Sequence, residues 1–281
     1  MRIITNIKDI QKIISSAKRR GKTVGFVPTM GALHQGHAAL LRKARRESGI
    51  VVLSIFVNPT QFGHGEDFKK YPREKAKDVL LAKREKVDII FYPSVNKIYP
   101  TGFLTSIKVA KLSNELCGKF RPGHFDGVAI IVVKLLNIIS PDTLYVGQKD
   151  AQQCAVLKHL IYDLNIPVKI RICPTVREHD GLAMSSRNKY LSEKERKEAP
   201  ALYQALREAQ QHVQKGERRT VKIIQRMTRR IHHHSSGRIQ YIACVQADTL
   251  VPLKHLKGRV LIALAVYFGK ARLIDNIAIS V

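Results

Sequence analysis

His34 and His37 lie three residues apart in VPTMGALHQGH, with Gly36 between them, where an apolar run gives way to a helical one. On the opening turn of a helix that spacing turns both imidazoles toward one ligand. Gly36 lets the ligand come close to the backbone, and the helix start offers free N–H groups and a positive dipole end. These features suit phosphate, with neutral imidazole N–H groups stabilising charge that builds on it. A second candidate lies downstream, where Ser185, Ser186 and Arg187 place two hydroxyls beside a guanidinium in a polar loop after Met184. Such a trio suits a mobile clamp on phosphates, and a plain turn with a serine helix cap is its structural alternative.

Holding these groups requires alternating strands and helices. Ile7, Ile10, Ile14 and Ala17 repeat at helical spacing before a stop at Gly21. Residues 23–27 then read as a strand, followed by a Gly- and Pro-containing loop and a helix over about 37–48. The pattern recurs with a strand over 50–56, a helix over 73–86 and a strand over 88–92. Further along come a buried helix over 127–139, a strand over 143–146, a helix over 150–164 and a strand over 168–172. Alternation of this kind predicts an α/β chain whose first domain, residues 1–175, is a Rossmann-like doubly wound parallel sheet with ligands at the carboxyl ends of its strands. Residues 176–281 form a smaller α+β domain, with helical stretches over 193–214 and 220–233 and β-rich segments over 238–246 and 259–268.

The histidine motif resembles the signature of the nucleotidylyltransferase superfamily. Six further segments follow it in order: SIFVNPTQF, YPR, RPGHFDGV, GQKDAQQ, DGLAMSSRN and ARLIDN. Together they make nearly the whole chain similar to the pantothenate synthetase family, a match far more specific than an H-x-G-H string alone. The resemblance implies a reaction in which the carboxylate of pantoate attacks the α-phosphorus of ATP, Mg-pyrophosphate leaves, and the amine of β-alanine displaces AMP from the acyl-adenylate. No covalent enzyme intermediate is implied, so the protein positions the reactants, stabilises charge and excludes water.

Residue by residue, the resemblance makes His34, His37 and Lys149 catalytic. It gives ATP to Met30, His37, Gly147, Lys149, Asp150, Val176, Met184, Ser185, Ser186 and Arg187. Lys149 offsets charge as pyrophosphate leaves, and Asp150 takes the ribose; a helix N-cap is its structural alternative, and the two roles are compatible because Asp is also a favoured capping residue. Gln61 and Gln153 take pantoate, their neutral amides both donating and accepting. Gln152 is the decoy beside Gln153, since neighbours on a helix face different ways. Asp78 aligns with a position linked to magnesium, although an Asp on a charged helix is more often solvated and magnesium binds mainly through nucleotide phosphates. A homodimer is implied by the same likeness. Gln35 and Gln148 depart from residues that are usually acidic in the family.

His124 lies in RPGHFDGV with no chemical step of its own, and bracing the pocket is its reading. The run His232, His233 and His234 reads as surface, because adjacent helical residues point apart. The cysteines Cys117, Cys154, Cys173 and Cys244 are widely spaced and read as reduced, buried thiols. Neither a signal peptide nor a membrane span is visible, so the cytoplasm is the expected compartment. Lys and Arg number 49 against 22 Asp and Glu, a net +27. That field favours anions, yet the basic residues are dispersed and no aromatic RNA-binding motif is present, which weighs against nucleic acid as a partner. A relative that adenylylates a phosphate is the enzymatic alternative, and the downstream motifs argue against it.

Overall fold

The computed structural model describes residues 1–63 and 65–281. Strand β1 (Arg2–Ile4) and helix α1 (Ile7–Arg19) open the chain. Asn6 caps α1 by accepting the Lys8 N–H at 2.8 Å, and the stripe of Ile10, Ile14 and Ala17 is buried. Next come β2 (Val24–Thr29), α2 (Gln35–Glu47), β3 (Ile50–Ile55), α3 (Lys75–Arg84) and β4 (Ile89–Phe91). Short helices α4 (Val95–Ile98) and α5 (Leu116–Phe120) lead to α6 (His124–Ile139), β5 (Thr143–Gly147), α7 (Ala151–Asp163) and β6 (Lys169–Cys173). The remainder is α8 (Glu193–Glu198), α9 (Ala201–Gln214), α10 (Thr220–His234), β7 (Arg238–Gln246), β8 (Arg259–Phe268) and β9 (Ala271–Ser280).

The first six strands form one parallel sheet in the order β1-β4-β3-β2-β5-β6. From β2 the chain moves outward through β3 and β4, then crosses to β5 on the other side. The carboxyl ends of β2 and β5 therefore flank the topological switch point, where ligands bind in open α/β sheets. Helix α6 is apolar over most of its circumference and buried against this sheet with α1. The last three strands make an antiparallel sheet, β7-β8-β9, packed against α9 and α10 through a second core. A smaller cluster joins the two halves, bringing Cys117, Ala155 and Val156 against Val245, Leu261 and Ala263.

The α/β class and the C-terminal α+β part match the sequence expectation. Two strands escaped it. Edge strand β1 is only three residues long, and β9 carries a motif that drew attention away from its alternation. The stretch over 193–214 is two helices, broken at Pro200, which has no N–H to continue the ladder. Helices α2 and α6 begin two and three residues earlier than expected, for reasons that belong to the site.

Candidate active site

A cleft of about 290 Å³ opens at the carboxyl ends of β2 and β5 and is closed from the far side by the C-terminal part. Pro28, Thr29 and Met30 bring β2 into it, Val146 and Gly147 bring β5, and Ile274 and Asn276 come from β9. That places it at the switch point and at the lower edge of the volumes small-molecule sites take.

His34 is the N-cap of α2, which is why the helix starts at Gln35. Its Nδ1 accepts the Gly36 N–H at 3.1 Å, and its own backbone N–H donates to Nδ1 of His37 at 3.2 Å. The pair makes a capping box built from imidazoles. With each Nδ1 an acceptor, each neutral ring carries its proton on Nε2, leaving that N–H as its free donor. Burial first, and then Lys149, lowers the His34 pKa to about 4. Burial, with His34 and Lys149 adding to it, also lowers His37 well below the usual histidine value. The site therefore presents two neutral N–H donors, their ring centroids 4.1 Å apart. A Cβ on Gly36 would meet the His34 ring at 2.7 Å, so this glycine makes room first of all for the capping histidine.

Asp78 is not placed as a metal ligand. Its carboxylate is buried beneath the PTMGALHQGH loop and accepts the N–H groups of Ala32 at 3.1 Å and Leu33 at 2.7 Å. Ala32 has φ of 49°, left-handed for a residue with a Cβ, and strain of that kind costs on the order of 1 kcal/mol or more. The two hydrogen bonds offset it. Burial raises the Asp78 pKa despite those amides. Asp78 does not line the cleft, and the described residues include no group of three or more His, Cys, Asp or Glu suited to a metal ion.

Every other expected site residue lines the cleft. Lys149 Nζ donates to Asp150 at 3.3 Å, while Asp150 stands at the N-cap position of α7 without capping it, so its carboxylate stays half-exposed. The two adjacent glutamines face different surroundings. Gln152 is buried, accepts the Cys117 N–H at 2.8 Å, and donates to the carbonyls of Leu112 at 2.8 Å and Glu115 at 2.6 Å. Gln153 makes no side-chain hydrogen bond to the described residues and faces the cleft. Gln61 donates to Met30 Sδ at 3.1 Å and accepts from Asn58 at 3.1 Å.

His124 braces this glutamine. Its Nδ1–H donates to the Gln61 carbonyl at 2.7 Å, and its Nε2 accepts from Arg121 at 3.0 Å. Burial, then the neighbouring guanidinium, lowers its pKa to about 4. Gly127, one turn along α6, lies so near the 59–61 turn that a Cβ would sit 2.3 Å from the Thr60 carbonyl oxygen. Close packing of α6 on that turn thus positions Gln61, and the 124–126 segment joins the helix to provide it.

The loop of Ser185 to Arg187 takes the form of a turn with a serine cap. Ser185 Oγ accepts the Arg187 N–H at 3.3 Å as a turn cap, while Ser186 lies 3.3 Å from the Tyr71 hydroxyl. Arg187 is not free, because its guanidinium makes two bonds to Asp67, at 3.1 and 3.0 Å. Val176 and Met184 are held together by the Met184 N–H donating to the Val176 carbonyl at 3.0 Å.

Asn276 carries a role that ARLIDN alone did not reveal. Its Nδ2 donates to the carbonyls of Gln148 at 3.0 Å and Lys149 at 2.9 Å, and its Oδ1 accepts the Gln148 amide at 3.2 Å. The C-terminal sheet thereby fixes the backbone that carries Lys149. Next to it, Asp275 receives two bonds from Arg177, at 2.6 and 3.0 Å. His232, His233 and His234 are exposed, and all four cysteines are buried and free. Among the described residues no helix is long and apolar enough to cross a membrane.

The family model described as Pantoate-beta-alanine ligase matches residues 2–278. A relative from Caldicellulosiruptor saccharolyticus named pantothenate synthetase is 51% identical over 281 residues, covering 100% of both chains. The solved pantothenate synthetase of Thermus thermophilus superposes with a TM-score of 0.94 at 41% identity, covering 99% of each chain. A Francisella tularensis pantoate-beta-alanine ligase, solved with β-γ ATP and β-alanine, gives a TM-score of 0.82 at 40% identity, covering 99% of this chain and 97% of that one.

Proposed function

Since the chain belongs to the pantoate-beta-alanine ligase family, we propose that its cleft joins pantoate to β-alanine at the expense of ATP, through a pantoyl-adenylate. It is a ligase that forms an amide bond. The observation that carries the assignment of the cleft is the pair of neutral imidazoles, each locked with a free Nε2–H, in the same cavity as Lys149.

In the first step the pantoate carboxylate, held by Gln61 and Gln153, attacks the α-phosphorus, and pyrophosphate departs toward Lys149, Ser185, Ser186 and Arg187. His34 and His37 donate hydrogen bonds to phosphate oxygens, and their low basicity keeps them donors without adding charge that would bind pyrophosphate too firmly. Asp150 accepts from the ribose hydroxyls, with Met30, Gly147, Val176 and Met184 forming the walls around the nucleotide. In the second step the free amine of β-alanine attacks the acyl carbon, the acyl–phosphate bond breaks, and AMP carries away the electron pair. Magnesium, where it accompanies the nucleotide, would be held mainly by the phosphates. The division into units of 1–175 and 176–281, a homodimer and a cytoplasmic location complete the reading, the homodimer on family likeness alone.

Supplying pantoate and Mg-ATP without β-alanine should yield pantoyl-adenylate detectable by mass spectrometry. ATP–pyrophosphate exchange that responds only to a phosphorylated substrate, and not to pantoate, would refute the assignment.

A further inference from the structure

Three arginines line the cleft, and two are committed to carboxylates. Arg121 makes two bonds to Glu66, at 2.7 and 2.6 Å, and Arg187 makes its two to Asp67, at 3.1 and 3.0 Å. Arg272 is different. Its Nε donates to the neutral amide oxygen of Gln240 at 2.8 Å and one terminal nitrogen lies 3.3 Å from Cys117 Sγ, while no Asp or Glu among the described residues pairs with it. A partly buried guanidinium facing only an amide, a thiol and phenols has given up part of its water without gaining a counter-ion. Such a group is preorganised for an anion.

Its position narrows which anion. Arg272, Ile274 and Asn276 alternate onto one face of β9, and all three line the cleft. Asn276 holds the Lys149 carbonyl at 2.9 Å, so Arg272 starts four residues away, about 13 Å along the strand from the Lys149 backbone. Its neighbour Cys117 is tied at 2.8 Å to Gln152, adjacent to the pantoate residue Gln153. This is the acyl end of the cleft. The carboxylate of pantoate is the reacting group and is consumed in the adenylate, whereas that of β-alanine passes through the reaction unchanged and needs a fixed cation to aim the amine.

We propose that Arg272 is the carboxylate anchor for β-alanine, an inference that rests on the function proposed above. A guanidinium at this point orients the amine toward the acyl carbon and selects an amino acid over a simple amine.

The test compares β-alanine with β-alaninamide as amines in amide formation, at saturating ATP and pantoate, in the wild type and in Arg272→Gln. The wild type should prefer β-alanine, and the substitution should raise its KM by about 30-fold or more, the loss typical of truncating one partner of a desolvated charge pair. The KM for β-alaninamide should move little, so the preference collapses. Pantoate-dependent ATP–pyrophosphate exchange, in which no amine takes part, reports separately on the underlying reading. A β-alanine KM that stays at the wild-type value while exchange continues overturns the anchor, whereas a wild type without pantoate-dependent exchange overturns the ligase assignment beneath it. The wild type provides a second measurement should the variant not fold: β-alanine should have the lower KM of the two amines, and equal KM values overturn the proposal.

Discussion

Gln152→Ala and Gln153→Ala should fail in opposite ways although the residues are adjacent. Gln152 is 5% exposed and makes three hydrogen bonds, to the Cys117 N–H and to the carbonyls of Leu112 and Glu115. At a net value near 1 kcal/mol each, their loss costs about 3 kcal/mol, with more if the abandoned backbone groups stay dry. For a chain of this size that lowers the Tm by roughly 6–10 °C. Gln153 makes no such bonds and faces the cleft, so its truncation should leave the Tm nearly unmoved. Its loss instead removes a hydrogen bond to a charged substrate, on the order of 1.5–3 kcal/mol, or about 10- to 100-fold in kcat/KM for pantoate. Calorimetry measures the first effect, and pantoate-dependent ATP–pyrophosphate exchange at a temperature where both variants are folded measures the second. The reasoning is refuted if Gln152→Ala keeps its stability, or if it impairs pantoate use as strongly as Gln153→Ala while folded.

Lys149→Ala should slow adenylate formation by about 10²–10³-fold, the usual cost of deleting one preorganised partner of developing charge, and spare amide formation from synthetic pantoyl-adenylate. Asn276→Ala, which frees the carbonyls of Gln148 and Lys149, should give a smaller loss in the same half-reaction; single-turnover measurement of each step would count against both roles if the second step suffered equally. Imidazole ¹⁵N spectra at pH 6 should show His34 and His37 neutral and protonated on Nε2, and a charged ring or an Nδ1–H tautomer would remove the capping-box argument. Because burial and Lys149 lower His34 from 6.5 to about 4, the unfolded state binds more protons between those values, so stability should fall as pH drops through that window and level off below it. Replacing His34 by Gln should flatten that slope when denaturation midpoints are compared across the same pH range.

The amino-acid sequence on its own determined the α/β class and the alternation that builds the parallel sheet, and it supplied the motifs from which the cleft is lined. These follow from local periodicity and from motifs whose residue types carry chemistry wherever the chain brings them together. Proximity across 120 residues is another matter. Asp67 receiving Arg187, Asn276 gripping the Lys149 backbone, and Arg272 lacking a carboxylate partner all depend on how the second sheet meets the first. Asp78 shows the limit most plainly: an Asp on a charged helix reads as solvated or metal-bound, because its sequence neighbours contain nothing of the loop 46 residues earlier whose amides it holds. The protonation of His34 and His37 was likewise decided by tertiary structure, since desolvation and the approach of Lys149 are properties of the assembled cleft. Residue types limit what a site is able to do, while burial and the partners brought from distant segments decide which of those chemistries remains available.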